Sequence, residues 1–96
     1  MQYENVIFAI PTYSHGLVGR KYKNFRDAIC DGFYDAWNER RIKRAFQYGN
    51  GTMDDLKRFC KDNKYRIISS EKFFRILDTI PERQIHIDYI NSTLNL

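Results

Sequence analysis

Residues 5–10, Asn-Val-Ile-Phe-Ala-Ile (NVIFAI), decide how the rest of the chain is read. The run is β-branched and aromatic, is bounded by Pro11, and is too short for a helix, so it reads as a strand. Successive side chains of a strand point to opposite faces. An apolar residue at every position from Val6 to Ile10 therefore makes this a central strand, covered by helices on at least one side.

Working outward, Asn24 has the chemistry of a helix N-cap, and Phe25, Ile29, Phe33, Ala36 and Trp37 recur at helical spacing. That predicts a long helix over 25–48. Beyond Trp37 the apolar set becomes Ile42, Ala45 and Phe46, centred on a different side of the axis, so this helix bends near Asn38–Arg41 or is contacted from two sides. Asn50-Gly51 is a stop and turn signal. Thr52 with Asp55 forms the aspartate version of a capping box, opening a helix over 52–63 that buries Met53, Leu56, Phe59 and Cys60. Tyr65 to Ile68 reads as a short strand. Ser69 or Ser70 then caps a third helix carrying Phe73, Phe74, Ile76 and Leu77, which Pro81 stops. Ile85, Ile87 and Tyr89 alternate with His86 and Asp88, the period of a half-buried strand with one wet face, and residues 91–96 are expected to form a loose tail. The expected fold is α/β in the α+β sense: one compact domain over 1–96, with about three strands in a mixed sheet against three helices, in the order β-α-α-β-α-β.

Composition narrows the function classes. With 96 residues, 43% of them apolar and 16% aromatic, the chain can build one core without disulfides, because each buried ring removes about 150–250 Å² from water. Cys30 and Cys60 lack CxxC spacing, sit among apolar neighbours and read as core sulfur. The N-terminus lacks the basic, apolar, small-residue order of a signal peptide, so a reduced, cytoplasmic setting is expected. No apolar run approaches the ~20 residues that span a bilayer. The net charge of +4 favours anionic partners, either nucleic acid or an acidic protein surface. Neither His15 nor His86 has an identifiable nucleophile beside it, and two histidines with two separated cysteines do not make a zinc set. The expectation is a protein without catalytic residues, cofactor or metal.

Two stretches carry candidate binding chemistry. In residues 11–24, PTYSHGLVGRKYKN, a strand end leads through a glycine loop to a helix start, an arrangement that aims backbone N–H groups at an anion. Gly16, Gly19, Arg20 and Asn24 are the candidate anion loop, and Lys21 and Lys23 add charge. It lacks the Gly-Lys-Ser/Thr of a nucleotide-hydrolysing phosphate loop, since Gly19 is followed by Arg20-Lys21-Tyr22, and GxGxxG is absent. Residues 10–33 are similar to the KH domain of RNA-binding proteins at Ile10-Pro11 and at Gly16-Leu17-Val18-Gly19. The family's GxxG joins two helices, however, and Gly16 follows Pro11 too closely for the first of them to fit.

The second stretch is WNERRIKRAF, residues 37–46, where Arg40, Arg41, Lys43 and Arg44 crowd into five positions. They replace the apolar stripe where it should continue, so this end of the helix reads as a basic knob projecting beyond the core. Tyr22, Tyr34, Tyr48 and Tyr65 would add stacking platforms if exposed near it. A helix-turn-helix is disfavoured because Asp54, Asp55 and Asp62 on the next helix repel phosphate. The expected function is a small non-enzymatic binding protein that engages nucleic acid, or a nucleic-acid-handling protein, through this basic, aromatic-rimmed surface. One alternative is a protein-protein inhibitor of the kind phages direct against a host or defence machine, which suits the low alanine and abundant Asn, Lys, Ile, Tyr and Phe. The other is a small-anion or nucleotide-binding module built on the Gly16–Gly19 loop.

Overall fold

The NVIFAI run forms β1 (Ile7–Pro11), which lies between β2 (Asp35–Trp37) and β3 (Tyr65–Ser69) in a three-stranded sheet of order β2-β1-β3. The computed structural model describes residues 3–11, 22 and 24–95. Both pairings are antiparallel rather than of mixed sense, and Phe8 lies opposite Ala36 on one side and Ile68 on the other. Five helices accompany the sheet among the described residues: α1 (Phe25–Cys30), α2 (Glu39–Ala45), α3 (Met53–Asp62), α4 (Ser70–Leu77) and α5 (Arg83–Leu94). The expected α+β class with three strands is present, but two of its elements differ from the expectation.

Residues 25–48 are not one helix. α1 ends in a Schellman motif: the Gly32 N–H donates to the Ile29 carbonyl at 3.0 Å and the Phe33 N–H to the Ala28 carbonyl at 2.9 Å. Gly32 sits at φ +75°, a left-handed conformation that glycine adopts without the steric penalty of a Cβ. The chain then extends through β2. Asn38 starts α2 by accepting the Arg41 N–H on Oδ1 at 2.8 Å. The apolar residues at helical spacing are thus divided, with Ala28 and Ile29 on a helix and Ala36 and Trp37 on opposite faces of a strand.

The second correction falls at the C-terminus, where the alternation of residues 85–89 belongs to α5. His86, Ile90 and Leu94 form its buried stripe at steps of four, while Ile85 and Tyr89 are exposed. His86, expected on a wet strand face, is in the core with its Nδ1 2.8 Å from the Tyr34 hydroxyl. Burial pushes that hydroxyl above its ordinary pKa, with Tyr89 adding to the shift. Residues 91–94, expected in a loose tail, are the last turn of this helix, where Leu94 is buried and the Tyr3 hydroxyl donates to Asn91 Oδ1.

Alternation along the strands divides the core into two layers. Phe8, Ile10, Ala36 and Ile68 face the layer of α1, α4 and α5, where Phe8 stacks on Phe73 with ring centroids 3.7 Å apart. Ile7, Ala9, Trp37, Tyr65 and Ile67 face α2 and α3 and meet Ile42, Leu56 and Cys60. Burial pushes the Cys60 thiol up to about 11, with the negative charge of Asp35 contributing, so it is a neutral core group. Cys30, by contrast, is exposed at the end of α1 and is not core sulfur.

Candidate nucleic-acid interface

The four cations of residues 40–44 have different surroundings on α2. Arg41 is held: its Nη1 donates to Asp35 Oδ1 at 2.7 Å and to the Ala36 carbonyl, and its guanidinium carbon lies 4.2 Å from the centre of the Trp37 ring. It ties α2 to the edge strand. Lys43 pairs with Glu39 at 3.0 Å, an exposed i,i+4 pair worth only about 0.3–0.5 kcal/mol. Arg40 and Arg44 are exposed and have no hydrogen-bond or ion-pair partner among the described residues.

These two arginines line, with Arg41 and Asn38, a 150 Å³ cavity between α2 and the last turn of α5, which contributes Thr93 and Asn95. α5 has no basic residue in its own last turn. The arginines of α2 therefore supply the positive charge that complements the carbonyl end of its dipole. On the other side of α2 a 570 Å³ groove runs past Ile7, Ile42 and Met53, but its charged groups are Glu4, Glu39 and Lys43, so it carries no positive excess.

From Arg41 a row of aromatic rings crosses the α2–α3 side of the molecule. Trp37 and Phe46 have centroids 5.6 Å apart, Phe46 and Phe59 5.8 Å, and Phe59 and Tyr65 6.2 Å. Trp37 is buried, Phe46 and Tyr65 are half-buried, and Phe59 is 41% exposed. Tyr48, two residues beyond Phe46, is almost fully exposed. Of the four tyrosines considered from sequence, Tyr65 thus lies on this side. Tyr34 is buried in the other layer, and Tyr22 packs against Phe33, their centroids 5.4 Å apart. Phe59 was expected wholly in the core, yet it flanks the Leu56–Cys60 stripe of α3 and keeps an open ring face.

No protein-family model, curated protein or solved structure matches the chain. The site therefore rests on its own chemistry. Gly16, Gly19 and Arg20 of the candidate anion loop, and Lys21 and Lys23 beside it, lie outside the described residues. Asn24, its remaining member, is the N-cap of α1 and accepts the Asp27 N–H on Oδ1 at 3.0 Å. At the start of α3 the Asp55 carboxylate accepts the N–H groups of Thr52 at 2.9 Å and Asn50 at 3.0 Å, forming the expected aspartate half of the capping box. The Thr52 N–H is the main cause that holds this carboxyl below its usual pKa. Among the described residues no three His, Cys, Asp or Glu side chains come together as metal ligands, and no helix is long and apolar enough to cross a membrane.

Proposed function

We propose that this is a binding protein for single-stranded nucleic acid, which lies across the α2–α3 side of the sheet. Arg40 and Arg44 take phosphates, and Phe46, Phe59 and Tyr65 offer ring faces to the bases. The observation that carries this reading is the placement of two unpartnered arginines at one end of a row of partly open aromatic rings. Sequence-tolerant single-strand binding combines these two elements, a cationic track for the backbone and rings for stacking, each base contributing about 1–3 kcal/mol. A duplex hides the base faces that the rings would contact, so single strands are preferred. Arginine suits the phosphate role because its planar fork places two N–H groups on one oxyanion.

Fluorescence anisotropy with a labelled ~12-nucleotide single strand tests the proposal. If Arg40 and Arg44 each neutralise one phosphate, the log–log salt dependence carries a slope of about −1.4 from these two contacts. Arg40→Glu with Arg44→Glu should remove that component and most of the affinity while the circular dichroism spectrum is kept. A folded double variant that binds as the parent does would contradict the proposal. A second reading has its own support: on α5, Ile85 is 64% and Tyr89 48% exposed, which fits a protein partner. Association through that face would hardly respond to salt and would be lost in Ile85→Asp rather than in the arginine variants.

A further inference from the structure

We infer that the cavity between α2 and the last turn of α5 is a seat for a phosphate monoester at the end of the bound strand; this deepens the single-strand reading and rests on it. Size gives the first argument. A volume of 150 Å³ equals roughly five waters at about 30 Å³ each, and it lies below the ~300–1,000 Å³ of sites that enclose whole small molecules. There is room for one tetrahedral oxyanion, and too little to enclose a whole nucleoside.

Charge gives the second. Among the described residues that line the cavity none is acidic, and the neutral polar members are Asn38, Thr93 and Asn95. Arg41 is compensated by Asp35 at 2.7 Å, whereas Arg40 and Arg44 face only the carbonyl end of α5, worth about half a negative charge, which leaves roughly 1.5 positive charges for the occupant. An internal phosphodiester carries about one negative charge. A terminal monoester carries about 1.5–2 at pH 7, because its second pKa is about 6, and so it matches the site. Position gives the third. The aromatic row begins at Trp37, beneath Arg41, and the last turn of α5 stands across the cavity from α2. A strand laid along Phe46, Phe59 and Tyr65 therefore reaches the cavity at one of its ends.

The test compares three labelled single strands of one sequence, about eight nucleotides long, carrying a 5′-phosphate, a 3′-phosphate or hydroxyls at both ends. Measured by anisotropy on the full chain at pH 7.5, one phosphorylated strand should bind about tenfold more tightly than the hydroxyl-ended one, a difference of about 1.4 kcal/mol. Which of the two phosphorylated strands gains identifies the polarity of the track. The preference should fade as the pH falls below about 6, where the monoester takes up its second proton and its charge approaches that of a diester. Arg44→Gln should bring the ratio close to one, and Lys43→Gln, on the groove side of α2, should leave it unchanged. If all three strands bind equally, the end-recognition inference fails while the single-strand reading survives. If none binds, both fail. If a phosphoserine peptide of equal charge binds as tightly as the phosphorylated strand, the cavity reads a monoester without regard to nucleic acid, and the inference is overturned.

Discussion

On one face of the sheet Phe8, Ile10, Ala36 and Ile68 are covered by α1, α4 and α5, whereas on the other Ile7, Ala9, Trp37 and Ile67 are covered, among the described residues, by α2 and α3. Among the described residues the first cluster holds thirteen buried residues and the second five, so most of the apolar area that they bury lies on the first face. The second face is finished at its rim by half-open rings, Phe46, Phe59 and Tyr65, and by the arginines of α2. Rings that remain partly in water still have contact area to bury against a ligand. The difference teaches that one sheet can separate its tasks: a closed layer that holds the fold, and an open layer whose packing a bound strand would complete.

The largest effect should come from the closed layer. Phe73→Ala removes a fully buried ring stacked on Phe8 and should cost about 3–5 kcal/mol in urea unfolding, whereas Leu56→Ala in the open layer should cost nearer 2–3 kcal/mol because neighbours at a rim can relax into the space. An equal or larger loss at Leu56 would break the comparison. Next is Gly51→Ala, which acts on the α2–α3 junction. Gly51 has φ +65° and an added Cβ would lie 2.9 Å from Lys43 Cα, so the variant should lose more than about 1 kcal/mol and shift signals of α2 while leaving α4 and α5 unchanged.

Acid should loosen the open layer first. The folded-state pKa of Asp55 is lowered, so its contribution is fully present above the unfolded value of about 3.9 and is lost as the pH falls through the lower folded value. Amide exchange at Thr52 and Leu56 should therefore rise below about pH 4, and Asp55→Asn should remove that step. The smallest effect on stability is expected for Phe59→Ala. Its ring is 41% exposed, so unfolding should change by less than about 1.5 kcal/mol, while single-strand affinity should fall by about 1–3 kcal/mol.

The central strand was legible because the short run from Val6 to Ile10 is β-branched and aromatic, apolar at every position and bounded by Pro11, which suits a strand inside a sheet covered by helices on at least one side. The 52–63 helix and the short strand after it were legible from Thr52, Asp55 and the Asn50-Gly51 turn, which are local signals. β2 was hidden because Phe33, Ala36 and Trp37 continue the helical spacing of Phe25 and Ile29, although Gly32 marked a helix stop and Asn38 a second cap. α5 was hidden because its exposed residues, Ile85 and Tyr89, are apolar, while its buried stripe begins with a histidine. Only the tertiary partner Tyr34 makes His86 a core residue, and no local pattern announces it. The crowding of residues 40–44 was plain in the sequence. That Arg41 is bound to Asp35 while Arg40 and Arg44 are not depends on the fold.

The most direct measurement is a two-dimensional ¹H–¹⁵N spectrum of the labelled protein titrated with a 5′- or 3′-phosphorylated single strand of about eight nucleotides. Binding to the open layer predicts shifts at Arg40, Arg41, Arg44, Phe46, Phe59 and Tyr65, growing together with one saturation curve, and little change at Phe73, Leu77 and Ile90 in the closed layer. Shifts centred on Ile85 and Tyr89, or none at millimolar strand, would contradict the account.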